Sequence, residues 1–137
     1  MYLRKLTSDT QHHATLRSLV VDDGTLNQAF QWLCRQRINY SHNSDIWDFI
    51  QNWKHRKADF IAQVMSGDYQ FSPLQRYHIN GETLSCWSAQ DAMLLKAMTL
   101  VLQDHLGLRL PACCFHLVGA GGIKQALSQV KTQLHPG

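Results

Sequence analysis

No apolar run in this 137-residue chain approaches the ~20 residues of a membrane span. Met1 to Ser8 carries two basic residues but no apolar core of the kind a secretory signal needs, so the cytoplasm is the expected compartment. The four cysteines, Cys34, Cys86, Cys113 and Cys114, contain no CxxC pair, and their spacing fits neither a zinc knuckle nor a small disulfide framework. Cys113 and Cys114 are adjacent, and a vicinal disulfide is strained, which leaves reduced thiols as the simplest account. No internal repeat is visible, which excludes a solenoid array.

What is present is an ordinary globular balance, with 45% apolar and 17% charged residues. The length suits one domain with a real core. A formal net charge of +3 permits a polyanionic partner without requiring one, and eight histidines add positive charge below neutral pH.

Residues 1–24 mix charge, Gln, His and weakly apolar patches, and read as a partly ordered leader with a short helix from Ser8 to Leu19. Thr25 is placed to cap a helix in which Leu26, Ala29, Phe30, Leu33 and Cys34 share a face, running to about Arg37. Ser44 offers the next cap, with Asp45 and Asp48 in a first turn that the helix dipole favours. Ile46, Phe49, Ile50, Trp53, Phe60, Ile61 and Val64 then trace one face of a long helix that stops before Gly67. Gly67 to Pro73 alternates aromatic and polar residues and suits an extended lead-in. Tyr77-His78-Ile79, Asn80-Gly81 and Glu82-Thr83-Leu84 predict a hairpin, because Asn-Gly supplies the positive φ of both turn positions. Ser88 with Asp91 resembles a capping box, and the helix from Ala89 to about His105 is apolar nearly all round, which predicts a core helix covered on several sides. A short apolar stretch, Ala112 to Val118, and a Gly-rich turn, Gly119 to Gly122, precede a last helix. That helix points Ile123, Ala126, Leu127, Val130 and Leu134 inward, and Lys124, Gln125, Gln129 and Lys131 outward. The fold class is α+β, mostly α, with one small antiparallel β-hairpin near 76–86.

Several constellations carry chemistry on paper. Asp22-Asp23 could hold Mg²⁺, but acidic residues leading into a helix are equally a dipole effect, and a two-metal site needs a third carboxylate from elsewhere. Gly119-Ala120-Gly121-Gly122-Ile123-Lys124 fits no phosphate-loop fingerprint and is accounted for by a tight turn, with weak phosphate contact left open. Cys113, Cys114, His116 and His78 lack zinc-site spacing, and no Asn or Asp orienter can be nominated for a Cys–His dyad. Lys54, Arg56, Lys57 and Arg76, beside Trp47, Trp53 and Tyr69, are the nearest thing to a basic–aromatic surface for a single strand. A solvated helix face with core tryptophans explains the same residues.

The order of the blocks carries a resemblance. Asp45-Ile46-Trp47-Asp48-Phe49, a helix rich in Trp and basic residues, and then Gly67-Asp68-Tyr69-Gln70-Phe71-Ser72-Pro73 resemble the opening of retron-type and group II intron-like reverse transcriptases. In that family an extended G-x-Y-x-F-x-P segment leads into the fingers hairpin. Trp87-Ser88-Ala89-Gln90-Asp91-Ala92-Met93-Leu94-Leu95-Lys96-Ala97-Met98 is similar to the next block, an aspartate-led apolar helix. Cys114-Phe115-His116-Leu117-Val118-Gly119-Ala120-Gly121-Gly122, followed by Lys124-Gln125-Ala126-Leu127, resembles the block after it in one bacterial subgroup. The likeness covers about residues 26–131.

The resemblance implies a helical fingers domain over 25–137 that contacts RNA or an RNA/DNA template–primer. Lys54, Arg56, Lys57, Arg76 and Lys124 are its candidate contacts. It implies RNA-directed DNA polymerisation by two Mg²⁺ ions held by palm carboxylates, one on a strand following this segment and others on a Tyr-x-Asp-Asp hairpin. None of these is in the sequence, so the chain alone is expected to hold no cofactor and to polymerise nothing. The hairpin departs from the family's K-x-G-x-x-R pattern: Ile79 to Leu84 carries no base, which shifts the expected role from nucleotide binding to template or primer contact. Apolar surface left by a missing palm would bind that palm or a second copy. A small helical protein–protein interaction module that never touches nucleic acid is the alternative, and a small Cys/His enzyme is a third.

Overall fold

The structure is a computed structural model, and it describes residues 16–107, 109–111 and 121–134. Its chain falls into two compact units, one running to Leu100 and the other from Val101. The described residues are mostly helical, with one two-stranded antiparallel sheet, the α+β class that the sequence predicts. Among them no helix is long and apolar enough to cross a membrane. The predicted Ala112–Val118 stretch, residues Gly119 and Ala120 of the Gly-rich turn, and most of the predicted leader helix lie outside the described residues.

The first unit opens with helical residues 16–20 and continues into α1 (Asp23–Gln36). Asp22, not Thr25, caps α1: its Oδ2 accepts from the Gly24 N–H at 3.0 Å, and Asp23 occupies the first turn. An earlier acceptor with the right reach therefore starts the helix before Thr25 can. Helix α2 (Asp45–Ser66) starts at Ser44, whose Oγ accepts from the Ile46 N–H at 3.5 Å. It ends at Gly67, which takes φ +83° so that its N–H and that of Asp68 both reach the Gln63 carbonyl. Twenty-two residues make α2 about 33 Å long.

An irregular stretch leads from Gly67 to β1 (Gln75–Ile79), which pairs antiparallel with β2 (Glu82–Cys86), Tyr77 opposite Leu84. Asn80 and Gly81 have φ +52° and +81°, the left-handed pair of a two-residue hairpin turn. Helix α3 (Ala89–Gly107) follows. Leu26, Ala29 and Leu33 of α1 form the first unit's core with Ile46, Phe49, Trp53 and Phe60 of α2 and with Ala89, Met93, Leu94 and Ala97 of α3. Val20, within the predicted 1–24 leader, is buried as well. A line of ring contacts runs through this core and out of it: Phe30 to Trp53, Trp53 to Phe60, Phe60 to Tyr69, Tyr69 to Phe71 and Phe71 to Trp87, with centroids 5.3–6.2 Å apart.

Two burial expectations fail. Helix α3 is covered on one broad face only, because Met98, Leu102 and Leu106 stay more than a third exposed. In the second unit, α4 (Gly122–Leu134) has no buried residue, and Ile123 and Leu134 are 80% and 74% exposed. Amphipathic spacing selects which face of a helix wants cover but says nothing of what supplies it.

Candidate nucleic-acid interface

Lys54, Arg56 and Lys57 lie together on α2, and two of the three are already neutralised. Arg56 spans two turns to Asp48, 3.0 Å between Nη2 and Oδ2, and Lys57 reaches Asp23 of α1 at 2.7 Å. Both pairs face solvent, where such contacts contribute little to stability, yet each sets a carboxylate beside the cation that a phosphate would need. Lys54 has no ion pair among the described residues. Arg76 is exposed on β1, opposite Ser85. Lys124 is exposed on α4, in the second unit. The first unit thus offers two unpaired candidate cations, Lys54 and Arg76.

Of the three aromatic residues considered for stacking, Trp53 is buried in the ring line. Tyr69 is half-buried and hydrogen-bonded, and Trp47 donates its indole N–H to the Ser41 carbonyl at 3.0 Å while keeping 38% of its surface exposed. Of these three, Trp47, in the first turn of the basic helix α2, alone presents an open ring.

The most densely bonded polar site was not nominated from the sequence. Asp91, 1% exposed, accepts from the Tyr69 hydroxyl at 2.6 Å through Oδ1 and from the Ser72 N–H at 2.9 Å through Oδ2. The predicted capping box is therefore half-formed: Ser88 Oγ accepts from the Asp91 N–H at 3.2 Å, but the Asp91 carboxylate is spent on the 69–72 segment. Gln90 Nε2 donates to Tyr69 Oη at 3.4 Å. Burial pushes the Tyr69 phenol well above its ordinary value, and the adjoining Asp91 carboxylate raises it further. Next to it, Asp45 Oδ2 accepts from the Ala89 N–H at 2.7 Å, so the carboxylate that favours the start of α2 also caps α3. Buried Arg37 joins the same network, donating to the Trp87 carbonyl at 2.8 Å and to Asp45 at 3.5 Å. The open cleft here, about 200 Å³, is bordered by Asp48, Arg56, Ser72 and Gln90. No buried side-chain polar atom among the described residues lacks a partner, so the network is built to hold segments together. The one sequence signal for it was an isolated acid at the head of an apolar helix.

Elsewhere, Asp22 Oδ2 serves as the cap of α1, and Asp23 pairs with Lys57. Among the described residues no group of three or more His, Cys, Asp or Glu is placed to hold a metal ion. His78 Nδ1 lies 3.0 Å from Thr83 Oγ1, while Cys113, Cys114 and His116 fall outside the described residues. A second cleft of about 370 Å³, mostly apolar, separates Tyr40 and Ser41 from one face of the hairpin, Tyr77, Ile79, Leu84 and Cys86.

No protein-family model matches this chain, and no curated protein matches its sequence.

Proposed function

We propose that this chain is a fingers-like segment of a reverse transcriptase of the retron or group II intron-like type, contacting template or primer RNA. The observation that carries the reading is the Tyr69–Asp91–Ser72 junction: the tyrosine of the G-x-Y-x-F-x-P block and the aspartate leading the next block bond to each other. Blocks that resemble one family in order would be expected to meet through the residues that define them. In this reading phosphates are met first by Lys54 and Arg76, and Arg56 and Lys57 contribute after giving up their carboxylates. Mg²⁺ and its carboxylates belong to a palm outside these residues, and no polymerisation step is assigned to this chain.

Titration of single-stranded RNA and of a primer–template duplex at two salt concentrations tests it. Binding should weaken with salt, and Lys54→Ala or Arg76→Ala should each lower the slope for single strands by about 0.7. Arg56→Ala and Lys57→Ala should lower it less. Absence of RNA binding at low salt would overturn the reading.

A protein-interaction module is the second reading, favoured by the uncovered apolar stripe Ile123, Leu127, Val130 and Leu134. A chain that ignores RNA yet associates stably with protein would support it.

A further inference from the structure

The hairpin turn fixes which backbone groups of β2 are free. A two-residue turn at Asn80-Gly81 makes Ile79 and Glu82 its closing hydrogen-bonded pair. Pairs alternate along an antiparallel ladder, so Leu84 and Cys86 also turn their N–H and C=O groups toward β1, while Thr83 and Ser85 turn theirs outward. Among the described residues the outward backbone groups of Thr83 and Ser85 have no partner, and both residues are exposed. An isolated two-stranded ribbon is marginal in water, and an unpaired edge is a template for another strand.

The two edges differ in what they tolerate. Antiparallel self-pairing of β1 about Tyr77 would set the long, charged Arg76 opposite the ring of the partner's His78, twice across the two-fold axis. The same operation on β2 about Leu84 sets Thr83 opposite the partner's Ser85 and Glu82 opposite the partner's Cys86, with no like charges opposed. The register also agrees with the backbone: Thr83 and Ser85, the outward-facing residues, become the hydrogen-bonded pairs and exchange four bonds across the two-fold axis. Leu84 then meets its own copy in the close, non-hydrogen-bonded position, where Cα atoms stand about 4.5 Å apart. It is 46% exposed and available for that contact. Strand β2 carries neither Lys nor Pro, the residues that usually blunt an edge.

We infer that β2 pairs antiparallel with β2 of a second copy of this chain, centred on Leu84, to give a four-stranded sheet in the order β1-β2-β2-β1. Leu84 also lines the apolar cleft under Tyr40 and Tyr77, so the two clefts meet along one face of the joined sheet. The isologous arrangement closes on itself as a dimer.

Sedimentation of the full 137-residue chain over a micromolar concentration series, without nucleic acid, tests this separately from RNA binding. A monomer–dimer equilibrium is expected. Ser85→Pro removes one outward N–H and no bond to β1, and should leave a folded monomer by circular dichroism. Leu84→Lys opposes two ammonium groups and should weaken association about tenfold or more. His78→Pro, on the other edge, should leave the dimer intact. As a check independent of those variants, Leu84→Cys should give a disulfide-linked dimer under mild oxidation that the unaltered chain does not give. A chain that stays monomeric throughout, a Ser85→Pro variant that associates as before, or a Leu84→Cys variant that does not cross-link would overturn the inference.

Discussion

The Tyr69 hydroxyl stands 2.6 Å from Oδ1 of Asp91 and donates to a carboxylate that is closed to water. Tyr69→Phe keeps the ring contacts with Phe60 and Phe71 but leaves one oxygen of a buried anion unmet. The expected loss is about 1–3 kcal/mol, read as a lower urea midpoint with an unchanged slope. A variant as stable as the parent would show that water reaches Asp91 freely.

The same bond sets an alkaline limit. The phenol is raised in the folded chain, first by burial and then by Asp91, so folding favours its protonated form. Stability from this group is complete below the ordinary tyrosine value of about 10 and is lost as pH rises beyond it. Melting temperatures taken upward from neutral pH should fall more steeply for the parent than for Tyr69→Phe once that value is passed. Parallel curves would remove Tyr69 from the alkaline limb.

Arg37 is the other buried polar anchor, holding the Trp87 carbonyl and Asp45. Arg37→Met leaves both acceptors without their donor and is expected to cost about 2–3 kcal/mol, since Asp45 stays partly wet. Arg37→Lys should recover only part of this, because one ammonium does not reproduce the two-pronged geometry. Chemical denaturation of the three proteins decides it.

Gly67 terminates α2 in the left-handed region at φ +83°. A Cβ there would meet Arg17 at no closer than 3.4 Å, so Gly67→Ala is opposed by backbone conformation and not by crowding. The expected cost is about 1 kcal/mol, measured as a shift in thermal midpoint.

The parts of this fold that were legible in the sequence are those decided by neighbours a few residues apart. Ser44 and Gly67 bracket α2, and Asn80-Gly81 closes the hairpin, because a cap or a positive φ is specified locally. Thr25 is not the cap because Asp22, three positions earlier, already takes the Gly24 N–H, and the helix is under way before Thr25 is reached. The site was less legible. Lys57 finds Asp23 across 34 positions and Asp91 finds Ser72 across 19, and no periodicity encodes either meeting. The exposure of α4 was illegible for a related reason: Ile123, Leu127, Val130 and Leu134 announce that a face is apolar, and their spacing does not say what would cover it.

The line of rings from Phe30 to Trp87 gives the first unit a built-in optical reporter. Each ring sits in the asymmetric field of the next, so near-ultraviolet dichroism should report the packing of this line. Light absorbed at Tyr69 has Trp53 on one side and Trp87 on the other as acceptors. Loss of the tyrosine share of the tryptophan excitation spectrum would therefore register the detachment of the segment before the hairpin without any added dye.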